Sequence, residues 1–189
     1  MPGLIGADAF GSVADAALAL DGVDGVEVLF MHEWGGLTRF ASSRIHQSTA
    51  REDTALRVRV ISRDRTGVAS TNDFSAEGAR RAAVAAKEMA AVAAPDPEFP
   101  GLAPAAEVPA VDRYFDPTAS VTPEERAAAV ERLVAVCPPG SAAAGAFETQ
   151  ALEVGIANTL GQRCWMPSTQ ASLTTVVTTG DHGLSLIHI

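Results

Sequence analysis

The sequence predicts an α+β fold: an antiparallel β-sheet meander packed by helices, followed by a helix and a second, incomplete set of β-strands. Three observations carry this. Residues Thr54 to Ile61 alternate, with Leu56, Val58 and Val60 on one side and Arg57 and Arg59 on the other. Period two is the mark of a half-buried strand. Tight polar turns separate several such runs between residues 26 and 71, and two alanine-rich segments further on carry apolar stripes at helical spacing.

Taken in order, Ser12 to Leu20 reads as a short helix closed by Asp21-Gly22, and Val26 to Met31 as a buried strand. Leu37–Ala41, Arg44–Arg51, Thr54–Ile61 and Val68–Thr71 form the meander, with Arg63 to Gly67 as a polar turn. Ser75 caps the next helix, whose stripe is Ala79, Ala82, Ala83, Ala86, Met89, Ala90 and Ala93. Glu77 and Arg81 pair across one helical turn on its other side. Residues 95–121 hold many prolines and no periodicity, so they form a linker in which Tyr114 and Phe115 dock on a neighbouring surface.

Thr122 opens a second strong helix. Thr122 and Glu125 make a capping box and Pro123 takes the first helical position. Val130, Leu133, Val134 and Cys137 mark its buried stripe, which makes Cys137 a small core residue. Ala142–Asn158 and Gln162–Thr179 are extended segments around the turn Asn158-Thr159-Leu160-Gly161. Their edges have nothing after them to pair with, which invites association.

Composition narrows the function. The formal net charge is −9, which argues against nucleic-acid binding, since that depends on basic surface. No apolar run approaches the span of a bilayer, and residues 1–10 lack the pattern of a secretory signal. The two cysteines, Cys137 and Cys164, have no CxxC spacing. A reduced, cytoplasmic protein is expected. There is no P-loop, no GxGxxG after a strand, no G-x-S-x-G and no close pair of catalytic carboxylates.

Seven of the fourteen basic residues fall between Arg39 and Arg65. On the functional reading, Arg39, Arg44, His46, Arg57 and Arg59 are candidate substrate-cleft contacts on a basic sheet face. On the plain structural reading they are a solvated strand face and a hydrogen-bonded sheet histidine. His32-Glu33 is a strand-end or loop pair and Trp165 a packing residue.

Several motifs stand in a telling order. They are Thr38-Arg39-Phe40-Ala41, Arg44-Ile45-His46-Gln47, Arg57-Val58-Arg59-Val60, Gly67-Val68-Ala69-Ser70-Thr71-Asn72 and the linker Pro95-Asp96-Pro97-Glu98-Phe99-Pro100-Gly101. Together they resemble the amino-terminal domain of the TldD/TldE (PmbA) family, paired metallopeptidase subunits once called modulators of DNA gyrase. A weaker resemblance runs from Val23 to Gly183. It implies a domain at 1–94, a linker at 95–121 and the start of a middle domain at 122–183.

The resemblance implies a TldD-like or TldE-like partner subunit and a small or unfolded peptide as substrate. The motif run is closer to the TldE (PmbA) arm. Zinc belongs to the family's catalytic subunit, on a His-Glu-x-x-x-His motif in a later domain. Here His32-Glu33 is followed by Trp34-Gly35-Gly36-Leu37, without the second histidine, and His46, His182 and His188 are far apart. No cofactor or metal site is therefore expected in this chain, and no catalytic residue. The resemblance stops at Gly183, and Leu184-Ser185-Leu186-Ile187-His188-Ile189 matches a translated sequencing adaptor, so residues 184–189 are set aside as an artefact. The alternative is a stand-alone, non-enzymatic interaction module with the same amino-terminal fold.

Overall fold

The computed structural model describes residues 3–180 and 182–188. Met1, Pro2, Asp181, Ile189 and the side chains of His182 and His188 lie outside the described residues. The chain runs α1 (Ala7–Leu18), β1 (Gly25–Ala41), β2 (Arg44–Ser62), β3 (Arg65–Thr71), α2 (Ala76–Val92), α3 (Asp116–Ala119), α4 (Pro123–Ala135), β4 (Ala142–Asn158), β5 (Arg163–Thr179) and β6 (His182–His188). The strands form one six-stranded antiparallel sheet in the order β3-β2-β1-β4-β5-β6. The α+β class holds, and β4 joins the second strand set to the first along β1, from Glu27 opposite Asn158 to Phe40 opposite Gly145.

Three long strands replace the five short runs expected before residue 72. β1 continues through Gly35 and Gly36, and β2 through Arg51 to Thr54. Those glycines are points of close approach rather than turns. A Cβ at Gly36 would stand 2.2 Å from Arg126 Nη2, and one at Gly67 would stand 2.0 Å from the Ala86 carbonyl of α2. Gly67 thus belongs to β3, and the turn before it shrinks to Arg63-Asp64. That turn and Ser42-Ser43 are two-residue hairpin loops with positive φ at both residues, from 49° to 61°. The Asp24 carboxylate supports the first by accepting from Arg63 N–H at 2.6 Å. The first helix starts at Ala7, earlier than Ser12, behind Gly6 at φ 91°.

The register is as the alternation requires. Leu56, Val58 and Val60 are buried, Arg57 is exposed and Arg59 is half-buried. Helices cover this one face. α1 and α2 lay Phe10, Val13, Ala14, Ala17, Ala79, Ala82, Ala83 and Ala86 on Val26, Val28, Phe30, Leu56, Val58 and Val60. Alanine at the contact lets α2 sit close to the strands. Ser75 caps α2 through Gly78 N–H at 3.0 Å, and Arg65 donates to the Ala93 carbonyl at its far end at 2.8 Å.

The second cluster is Phe40, Val130 and Ala143, with Leu133, Val134, Cys137, Phe147, Leu173 and Val177 against it, under α4. The capping box of Thr122 and Glu125 opens that helix, with bonds of 3.1 and 2.8 Å. The linker is tied down by Asn158 Nδ2–H donating to the Ala103 carbonyl and Thr169 N–H donating to the Arg113 carbonyl. Tyr114 is half-buried, but Phe115 is 57% exposed and does not dock on the protein's own surface.

Candidate functional site

Between the two apolar clusters the covered face turns polar. α1 and α2 pack over one half of the sheet and α4 over the other, so at the strand centres only the segment entering α1 and the Arg126 side chain of α4 reach the sheet. There β1 presents His32, Trp34 and Gly36, β2 presents Glu52 and Ala50, and β4 presents Glu153, Ala151 and Thr149, all in register. The phase of β1 forces this. Its even-numbered residues face the helices from Val26 to Phe40, so His32 and Trp34 are buried, each at 2% exposure.

Glu153 is fully buried and accepts four donors: Ile5 N–H at 2.7 Å, Gly6 N–H at 2.9 Å, His32 Nδ1 at 2.9 Å and Trp165 Nε1 at 3.1 Å. A carboxylate with this many donors is satisfied without water. It anchors the segment entering α1, and it places the His32 proton on Nδ1. His32 Nε2 then faces the Glu52 carboxylate at 3.5 Å, and the His32 ring lies against Trp34 with centroids 4.8 Å apart. His32-Glu33 is therefore a mid-strand pair rather than a loop pair, and Trp165 is a hydrogen-bonded packing residue. Unbroken alternation across the two glycines was the signal that could have found His32 and Trp34.

The seam opens into a cleft of about 420 Å³ lined by Trp34, Gly35, Ala50, Arg51, Glu52, Val121, Pro123 and Arg126. Arg126 is 2% exposed. Its Nη1 donates to the Val121 carbonyl at 2.9 Å and to Thr149 Oγ1 at 3.1 Å. Its Nε–H finds no acceptor, nor does the buried Nε1–H of Trp34. Among the described residues no carboxylate pairs with Arg126. Burial pushes its pKa below the ordinary arginine value, with Glu124 opposing the shift.

The five residues marked from the sequence fall into two groups. Arg57 and Arg59 lie on the sheet face away from the helices, where Glu27 neutralises Arg59 at 3.2 Å. Arg39, Arg44 and the exposed His46 lie at the opposite end of the same strands, by the bulge between Arg39 and Phe40. At about 3.3 Å per residue the two groups are roughly 40 Å apart. Apolar side chains share that open face, among them Met31, Val154 and Met166 in one cross-strand row.

The residues here do not fit a zinc site. Among the described residues no three His, Cys, Asp or Glu side chains cluster for a metal. The nearest approach, His32 with Glu153, has its carboxylate consumed by four donors.

Residues 26–90 match the family model described as PmbA/TldA metallopeptidase domain 1. A search of curated proteins gives no match. Among solved structures, TldE from Thermococcus kodakarensis superposes with a TM-score of 0.82 at 15% identity, covering 95% of this chain and 42% of that one. A putative modulator of a DNA gyrase from Thermotoga maritima gives 0.78 at 15% identity, over 94% of this chain and 42% of that one. One from Bacteroides thetaiotaomicron gives 0.77 at 15%, over 97% and 44%. The chain thus spans under half the length of each. Residues 26–90 thus resemble the first domain of the PmbA/TldA metallopeptidases, and the fold around them is shared with these three solved structures.

Proposed function

We propose that the chain is the amino-terminal part of a TldD/TldE-type subunit. In this reading it helps a cytoplasmic, two-subunit zinc metallopeptidase enclose small or unfolded peptides. The observation that carries the reading is the match to domain 1 in a chain spanning 42% of its structural relatives. Bond cleavage belongs to residues outside this chain, on a TldD-like subunit. The sequence motifs and the likeness to TldE favour the TldE arm. Arg39, Arg44 and His46 at one end of the sheet, and Arg57 and Arg59 at the other, are proposed contacts to peptide or partner. Residues 184–189 are foreign to the subunit on this reading.

Co-expression of the complete reading frame with a TldD-like partner, followed by peptide digestion, tests it. Zinc-dependent cleavage that needs both chains is expected. No complex and no cleavage would remove the peptidase role.

One observation favours a stand-alone interaction module instead: both apolar clusters are already covered by the chain's own helices. A genomic stop codon soon after Gly183 would support that reading, and an open frame would exclude it.

A further inference from the structure

We propose that the cleft between α4 and the sheet centre is a carboxylate-binding site whose occupant is the free carboxy terminus of a peptide ending in an apolar residue. Two residues that line the cleft, Trp34 and Arg126, each carry a buried N–H donor without an acceptor, Nε1 and Nε, and among the described residues no carboxylate pairs with the buried Arg126 cation. An unpaired buried charge is costly, as is each unmet donor, so such a group calls for an anion that accepts from both. A carboxylate has the two acceptor oxygens and the single charge required. A carbonyl oxygen would leave the charge uncompensated.

The site is preorganised. The Val121 carbonyl and Thr149 Oγ1 fix Nη1 of Arg126, and Gly36 leaves the space its guanidinium occupies. The amino terminus of α4, with Pro123 at its first position, borders the same wall, and Glu124 and Glu125 in its first turn offset its positive dipole end. Trp34, Ala50, Val121 and Pro123 give the walls an apolar part that suits an aliphatic side chain beside the carboxylate, while Arg51 in the same lining is already paired with Glu33 and Glu148. Glu52 at the mouth, turned toward His32 at 3.5 Å, disfavours a doubly charged phosphate and tolerates a monoanion. That the carboxylate is carried by a peptide rests on the peptide-handling function proposed above. The carboxylate itself rests only on the cleft.

The chain has two tryptophans, so its indole N–H groups give two resolvable NMR signals. Trp165, bonded to Glu153, serves as the control. Titrating the full chain with acetyl-alanyl-leucine should shift the Trp34 indole proton downfield and leave Trp165 unmoved. Acetyl-alanyl-leucine amide should bind at least about tenfold more weakly, since it lacks the charge-assisted bonds. Arg126→Lys should weaken the free acid by about tenfold with Trp165 unchanged, because lysine keeps the charge and loses the planar fork.

Equal shifts from acid and amide would overturn the carboxylate site while leaving the peptide-handling reading intact. Equal affinity for acetate alone would remove the peptide as occupant. No shift from any of the three would overturn the proposal whatever the fate of that reading. If Glu52→Gln alone moved the Trp34 signal upfield, Glu52 would be the resident acceptor and the proposal would fall.

Discussion

Glu153 is a fully buried carboxylate that holds the entry to α1, His32 on the central strand and Trp165 on the next. Removing it leaves four donors unmet in the interior. Glu153→Ala is expected to cost roughly 3–5 kcal/mol, the range for breaking a buried charged pair, read from urea unfolding. A loss under about 1 kcal/mol would mean that water reaches the seam. Tyr114 offers a cleaner readout, because it is the chain's only tyrosine. Burial first, then the Asp116 and Glu153 charges and a hydrogen bond to Asp116, push its phenol above the ordinary value of 10.0. The folded state therefore holds the proton more tightly than the unfolded state. Its contribution to stability is fully present below the unfolded value and is lost as pH rises through the folded one. Ultraviolet titration should give a midpoint above that of the urea-unfolded chain, and coincident midpoints would refute the shift. At this scale the sequence was partly legible. Leu56, Val58 and Val60 went to the core as their spacing requires, and Cys137 packs half-buried against the second cluster. Glu153 was not legible, because its partners Ile5 and His32 lie 148 and 121 positions away and no periodicity links them.

Helices were read better than strands, for a local reason. The signals that bound α2 and α4, Ser75 and the Thr122–Glu125 box, act within one turn and need no tertiary help. Thr122→Ala is expected to lower stability by about 1 kcal/mol, since the Glu125 N–H loses its acceptor at the helix start. The same substitution should broaden the Trp34 indole signal, because α4 forms the facing wall of the cleft. Unchanged stability would show that water replaces the cap. Strands depend on partners, and their glycines speak of what packs on them. Gly36 and Gly67 resemble turn residues until Arg126 and α2 are placed above them. The two turns that join β1, β2 and β3 hold no glycine: Ser42-Ser43 and Arg63-Asp64 all take positive φ. Asp64→Gly removes one such penalty, and a gain of up to about 1 kcal/mol is expected. A loss would show that the aspartate side chain supports the turn.

At the scale of the whole molecule, one sheet face is covered and the other is not. Met31 and Met166 flank Val154 on the open face, and both are well exposed, at 43% and 38%. β6 lies at one edge, where Leu184, Leu186 and Ile187 are each more than half exposed. The strand therefore adds main-chain pairing and almost no core. Self-association of the chain is expected, and moderate salt should strengthen it by screening the net charge of −9. Met31→Glu with Met166→Glu should reduce it. Analytical ultracentrifugation at two salt concentrations decides, and a monomer at both would show that the open face needs no cover. The overall class was legible because alternation and helical stripes survive without partners. The single sheet was not, because it depends on the pairing of β1 with β4. That pairing also sets a clock during synthesis. β1 leaves the ribosome about a hundred residues before β4 does, which at 5–20 residues per second is roughly 5–20 s. Throughout that interval the middle of the future sheet is an edge. Nascent chains on neighbouring ribosomes carry the same edge, so the moment of greatest exposure to mispairing falls before the chain is complete.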